Sequence, residues 1–251
     1  MIDRLYKLKG NRYLLILLAF TVSALSFGYD FEVDGIYYSK VNQSEVSVVC
    51  KKNGEATPTY GGNLTIPSKV NYSNLEYKVT SIGHMAFYNC SLQSINLPNT
   101  ITSINEGAFG SCKRLVSINI PESVTSISSS AFSQCNSLEK VSIPSSVTSI
   151  GSQVFYDCNN LTSISIPNSV TTIGSGVFWN CTNLTTITLP STLQDIPDDM
   201  CEDCWKLTSI TIPQSVNRIG KGAFSRCLNL TSITIPSGVT FIGASAFWDC
   251  I

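Results

Sequence analysis

The sequence predicts a β-rich solenoid, a stack of short coils headed by an N-terminal β-hairpin cap. Three observations predict it. Cys90, Cys112, Cys135, Cys158, Cys181, Cys204, Cys227 and Cys250 follow one another at intervals of 23 residues, except the first, which is 22. Pro98, Pro121, Pro144, Pro167, Pro190, Pro213 and Pro236 keep a constant interval of 23. Between these marks Leu, Ile, Val and Phe recur at fixed offsets. A unit this short cannot bury its apolar face alone, so copies must stack on one another.

The unit reads C-x-x-L-x-x-I-x-I-P-x-x-V-x-x-I-G-x-x-A-F-x-x-C, and its period lies in the 20–29 residue range of leucine-rich repeats. In one coil the matches are Leu161, Ile164, Ile166, Pro167, Val170, Ile173, Gly174, Val177, Phe178 and Cys181. The pattern resembles the BspA-like class of bacterial leucine-rich repeats over roughly residues 64–251, departing mainly at residues 193–204. The resemblance implies a secreted or surface-exposed protein that binds other proteins, a bacterial adhesin toward host matrix proteins such as fibronectin, or toward other cells. Periodicity alone gives the scaffold and not the ligand.

Taken in order, residues 1–26 read as a secretory signal peptide. Arg4, Lys7, Lys9 and Arg12 precede a short apolar run from Tyr13 to Ala24, and Ala24-Leu25-Ser26 supplies small residues for cleavage. An uncleaved anchor is the rival reading. It needs about 20 apolar residues to span a bilayer, and this run is shorter. The mature chain is therefore expected to be exported, secreted or on the cell surface, with no transmembrane span after signal removal.

Residues 27–62 form the expected N-terminal β cap. Phe31 and Val33 alternate with polar residues, Asp34-Gly35 follows, and Ile36 and Tyr38 resume the alternation, which is a two-residue hairpin signature. Glu45 to Cys50 reads as a third strand, and residues 51–62 as a loop. The solenoid occupies residues 63–251. Its first coil carries a nine-residue insertion around Val70 to Tyr77, expected to form a hairpin-like bulge.

Within each coil, L-x-x-I-x-I is a short strand ended by proline, which has no amide hydrogen for a continuing ladder. V-x-x-I-G makes a second extended segment. The piece x-x-A-F-x-x-C is expected to be one helical or 3-10 turn, with Gly151 or Gly174 easing the chain into it. The sequence stops at Ile251, one residue past a ladder cysteine, so it reads as a fragment of a longer protein or one whose end another chain covers.

Composition narrows the function. Charged residues are 13% of the chain and the net charge is −1, which argues against a nucleic-acid partner, since that requires a basic patch. The ten cysteines belong to an exported chain, yet eight form one inward column with parallel Cβ vectors, which favours buried free thiols over disulfides. Cys201 and Cys204 make a C-x-x-C, but Cys204 is the ladder cysteine and Cys201 falls in the column of Phe155, Phe178 and Phe224. A core substitution, a local disulfide and a redox pair are the alternatives, in that order. Losing a phenylalanine there should leave a void and make this coil the soft one. Asp195, Asp198, Asp199, Glu202 and Asp203 lack the spacing of a calcium loop and read as a solvated face. The single histidine, His84, offers no triad. No catalytic residue, cofactor or metal site is expected, and the chain does not read as an enzyme.

Two outward columns remain as candidate binding surfaces. The strand face carries Ser142, Ser163, Ser165, Thr186, Thr188, Ser209, Thr211, Ser232 and Thr234, a flat uncharged hydroxyl surface suited to a protein ligand on a host or bacterial surface. The position after Phe carries Tyr88, Tyr156, Trp179 and Trp248, which would serve a glycan-binding or envelope-organising module. The rival reading of both columns is solubility and lateral packing. Asn160, Asn183 and Asn229 precede the repeat leucine and should satisfy turn backbone groups.

Overall fold

The computed structural model describes residues 28–50 and 60–250; the expected signal peptide and most of the loop before the solenoid lie outside the described residues. The cap begins with strands β1 (Phe31–Val33) and β2 (Ile36–Lys40), paired antiparallel. Asp34 and Gly35 both have positive φ, 51° and 77°, as a two-residue turn matched to strand twist requires. Strand β3 (Glu45–Val49) pairs antiparallel with β2 and parallel with β6 (Leu75–Ile82), placing Val46 beside Val79. The hairpin is thereby continuous with a solenoid sheet. Phe31, Tyr38, Val46 and Val48 are buried in the common core.

The repeat starts earlier than its pattern implies. Strand β4 spans Gly61–Thr65, so Gly61 and Gly62 are strand rather than loop, and Gly62, at φ 70°, sits where the register with the next strand shifts. The insertion is a hairpin: β5 (Lys69–Tyr72) pairs antiparallel with β6 around Ser73 and Asn74, both in the left-handed region. Strand β6 then continues as the second segment of the first coil.

About seven coils follow, each with three sides and no helix. The first side stacks the L-x-x-I-x-I strands in parallel: β4, Ser91–Asn96, Ser117–Asn119 and Lys140–Ser142 form one sheet, and Ser163–Ser165, Thr186–Thr188 and Ser209–Ile210 another. The second side stacks the V-x-x-I segments, from β6 through Ser103–Ile104, Ser126–Ile127 and Ser149–Ile150 to Thr172–Ile173. Partners are one repeat apart, Ile127 beside Ile150 beside Ile173, so every inward residue stacks on its equivalent. A new three-stranded group begins at Asp195–Ile196. The break has a chemical cause. Gly174, Gly220 and Gly243 each donate their amide to the isoleucine carbonyl of the preceding coil, and Pro197 at that position has no amide to donate.

The third side corrects one expectation. The x-x-A-F-x-x-C piece is a run of tight turns, neither α- nor 3-10 helix. Two residues in every coil, the fifth and the first before the ladder cysteine, have positive φ; Gln153 (55°) and Asp157 (59°) are one such pair. Alternate amides serve two ladders. Tyr156 and Cys158 donate within the coil to Gln153 and Phe155, whereas Gln153, Phe155 and Asp157 donate to Ser175, Val177 and Trp179 of the next coil. A helix would spend all these amides on itself and leave neighbouring coils unbonded. The corner glycines are likewise explained by proximity. Gly151 and Gly174 show no positive φ, but a Cβ on either would collide with the backbone of Ser129 or Ser152 in the preceding coil.

The core is built of like residues in columns. Phe87, Phe109, Phe132, Phe155 and Phe178 stack at centroid separations of 5.3–5.8 Å with interplanar angles of 11° or less. The stack is interrupted at Cys201 and resumes with Phe224 on Phe247. The expected void at Cys201 meets a counterweight: the preceding residue, fully buried Met200, occupies the column held by Val177 and Ala223 in the adjacent coils.

Candidate functional site

The ladder cysteines prove to be more than small apolar fillers. From Cys112 onward each ladder thiol donates to a carbonyl one coil back: Cys135 Sγ to Phe109 at 3.2 Å, Cys158 to Phe132 at 3.2 Å, Cys181 to Phe155 at 3.0 Å. That carbonyl already accepts an amide hydrogen, as Phe155 does from Cys158, so the thiol uses its second lone pair. All cysteines of the described residues are free thiols. Burial pushes Cys90 up to about 11 and Cys112 up to about 12, and it raises Cys201 and Cys204 as well. A redox C-x-x-C needs an accessible, acidified thiol, and this pair is the opposite.

The acidic cluster is tied to the next coil. Asp198 accepts from Arg218 at 2.7 Å and from the Lys221 amide at 3.0 Å, which holds its carboxyl below the ordinary range. Asp203 lies 3.2 Å from Arg226. Among the described residues no three His, Cys, Asp or Glu side chains converge as a metal site would require. His84 stands 3.8 Å from Glu106 at the surface.

The strand face is laid out as a ladder of hydroxyls. Ser163 stands beside Thr186 and Ser165 beside Thr188, all exposed, with Ile164 and Ile187 buried between them. Thr186 in turn stands beside Ser209. Ser142 is exposed on the neighbouring sheet, and Thr211, Ser232 and Thr234 are exposed beyond the strand ends. The hydroxyls of this face differ in state from those of the corner columns. There they are consumed between coils: Thr148 donates to Thr125, Thr171 to Thr148, Ser146 to Val124 and Ser169 to Val147, all to carbonyls. The second-side column of Ser103, Ser126, Ser149 and Thr172 is also uncommitted, but of these only Thr172 is exposed. Among the described residues, the nine strand-face hydroxyls named above make no side-chain hydrogen bond within the molecule. Where the four-stranded and three-stranded sheets meet, Val141, Ser142, Ile143, Ser165 and Pro167 line a dent of about 290 Å³ on this face.

The aromatic column is not continuous. Tyr156 and Trp179 meet edge to face at 5.3 Å and are half-buried against each other. Tyr88 (40% exposed) is separated from them by two coils, where Gly110 and Ser133 stand. Trp248 (61% exposed) lies alone toward the other end. Asn183 and Asn229 donate to carbonyls one coil back, as their place before the repeat leucine leads one to expect, whereas Asn160 is exposed and makes no such bond.

Two features carry little signal in the sequence. Trp205, 41% exposed, lies outside the column. A groove of about 250 Å³ lies on the turn side, lined by Met85, Tyr88, Glu106, Gly107, Gly110, Ser111, Ser130, Ser133 and Gln134. Its trace in the sequence is Gly107-Ala108-Phe109-Gly110, the one Ala-Phe turn flanked by glycine on both sides.

Comparison with known proteins fixes the lineage. The model of the BspA type leucine-rich repeat region matches residues 66–159 and 125–251, in six copies. The chain belongs to that family. BspA-type repeats are scaffolds that serve as general protein-interaction modules. A leucine-rich repeat protein from Bacteroides ovatus is 33% identical with a TM-score of 0.79, over 86% of this chain and 55% of its own. The chain thus spans little more than half of that relative. The T. pallidum leucine-rich repeat protein is 28% identical with a TM-score of 0.72, over 81% of this chain and 91% of its own. The pneumococcal vaccine antigen PcpA shares the fold at 20% identity and a TM-score of 0.50, over 84% of this chain and 71% of its own. Among curated proteins nothing matches.

Proposed function

We propose that this BspA-type chain is an exported, non-catalytic adhesin that holds a protein partner on its strand face. The observation that carries the reading is the contrast among hydroxyls. The columns that stabilise the coil stack have their hydroxyls turned into neighbouring carbonyls, whereas those of Ser163, Ser165, Thr186 and Thr188 are exposed and uncommitted. An uncharged surface carried on a hydrogen-bonded strand backbone binds with little backbone ordering cost. Few charges also means no strong selection by field, so shape and hydrogen bonding choose the partner. Export rests on the basic, apolar and small-residue succession of residues 1–26.

The test is binding of the purified protein to an array of extracellular-matrix proteins, fibronectin among them, and to whole bacterial cells. A saturable hit should weaken at least about tenfold when Thr188 is changed to Lys or Trp, since a central contact residue typically carries more than about 1 kcal/mol. Replacing Thr171, whose hydroxyl is already committed to Thr148 on another side, should leave the hit unchanged. Binding that is indifferent to added bulk on this row, with Ser165→Trp and Thr188→Trp both silent, would remove the strand face from consideration.

A further inference from the structure

We propose that the turn-side groove binds a single neutral or amino pyranose ring, at a site separate from the strand face and independent of it. The groove exists because one coil gives up its outward side chains. Gly107 and Gly110 form its floor; Met85 and Tyr88 of the preceding coil form one wall, and Ser130, Ser133 and Gln134 of the following coil form the other. Gly107 has a backbone reason to be glycine, its φ of 62°. Gly110 does not: its φ is ordinary, and a Cβ there would lie 2.9 Å from the Tyr88 ring. Glycine at 110 therefore lets the tyrosine lie down along the floor of a concavity while remaining 40% exposed.

The dimensions select the ligand class. Two coil spacings separate the walls, about 10 Å between backbones. A helix with its side chains is roughly 10–12 Å across and cannot enter. The volume of about 250 Å³ falls below the roughly 300–1,000 Å³ of drug-sized sites and suits one ring. The chemistry selects further. Tyr88 and Met85 offer apolar surface to the C–H face of a sugar. From the floor coil the Ser111 hydroxyl donates to Gln134 Oε1 on the opposite wall at 2.8 Å, leaving the Gln134 amide nitrogen as a donor for a ligand oxygen. The hydroxyls of Ser130 and Ser133 can donate or accept. Glu106 is the one charged residue of the lining, and no lysine or arginine belongs to it. Phosphates, sulfates and acidic sugars are thereby disfavoured, while a hydroxyl-rich neutral ring or an ammonium-bearing one is accepted.

The experiment is saturation-transfer NMR on the purified protein with methyl glycosides of glucose, galactose, glucosamine and N-acetylglucosamine, and N-acetylneuraminic acid as the anionic control. At least one neutral or amino glycoside should bind, with a Kd on the order of 1 mM for a ligand this small. Tyr88→Phe should retain it, Tyr88→Ala should weaken it at least about tenfold, and Trp179→Ala and Trp248→Ala should leave it unchanged. Should Tyr88→Ala fail to fold, Ser133→Trp fills the groove from the other wall and reads the same loss. The preferred arm names the source, N-acetylglucosamine pointing to a cell-wall polymer and galactose to a surface glycan. Silence from all four glycosides overturns the proposal, and so does binding that survives Tyr88→Ala or is matched by N-acetylneuraminic acid.

Discussion

Replacing Met200 and Cys201 together tests how the core absorbs its one irregular coil. Phe178 and Phe224 flank the position of Cys201, and every other described ladder coil supplies a phenylalanine there. Met200 lies in the column of Val177 and Ala223 and is fully buried. Side-chain volume lost at 201 is thus supplied at 200. Three variants follow. Cys201→Phe alone adds a ring beside a buried methionine already larger than Val177 and Ala223 of its column, and overpacking of this kind costs about 1–3 kcal/mol. Met200→Ala alone opens a cavity and costs about 2–5 kcal/mol. The double variant reproduces the Ala223-Phe224 pair of the following coil and bridges the ring stack with two new contacts, each worth about 0.5–1.5 kcal/mol. It should be at least as stable as the parent, so the two sites should couple by about 3 kcal/mol or more, the upper end for residues in contact. Guanidinium unfolding monitored by circular dichroism gives the global values. Hydrogen exchange at the Cys201 amide, which donates to Ala223, reports on the coil itself. The reasoning is refuted if Cys201→Phe alone stabilises the protein, because the space would then have been empty and Met200 no counterweight.

Other expectations concern thiols and glycines. Iodoacetamide at neutral pH should label partly exposed Cys50 and Cys250 and leave the inner column unmodified; labelling of Cys158 in the native protein would contradict its burial. Because burial raises the folded thiols to about 11 and 12 at Cys90 and Cys112, while unfolded thiols ionise near about pH 8.5, the folded state holds protons the unfolded state has lost. Stability is present below the unfolded value and lost as pH rises, by about 1.4 kcal/mol per pH unit for each buried thiol. The denaturation midpoint should be level near neutrality and fall steeply above about pH 9; a midpoint that stays level there would sink the account. Gly174→Ala should cost about 1–3 kcal/mol, since its Cβ meets the backbone of Ser152. Gly238→Ala, whose nearest neighbours lie at 3.6 Å, should be neutral or mildly stabilising by thermal melting.

Much of the fold was legible because a solenoid repeats its evidence. Offset and polarity at Ile164, Ile166, Val170 and Ile173 name the inward face, and each further coil confirms the same choice. Asp34-Gly35 announces the cap hairpin by a local rule that needs no partner. The turn side is not legible in the sequence for the opposite reason. Ala-Phe flanked by polar residues has helix-compatible chemistry, and nothing in Gln153 or Arg226 favours a left-handed backbone. Only the next coil's carbonyls, waiting for the amides of Phe155 and Asp157, make that conformation the better one.

The candidate surfaces divide the same way. Alternation predicts that Ser165 and Thr188 point outward, because a strand side chain has only two faces to choose from. Composition cannot separate the hydroxyl of Thr188 from that of Thr171, since both belong to serine- and threonine-rich columns; the carbonyl of Thr148, one coil away, does. Spacing places Tyr88, Tyr156, Trp179 and Trp248 in one column, but the side chains of intervening coils decide whether a column is a surface. Gly110 and Ser133 cut it, and in cutting it they open the Tyr88 groove. The sequence by itself determined the period, the inward residues and the cap, all properties of one chain's pattern against water. Tertiary structure alone decided which polar groups remain unspent and where the surface is hollow, because both depend on what the neighbouring coil presents a strand's width away.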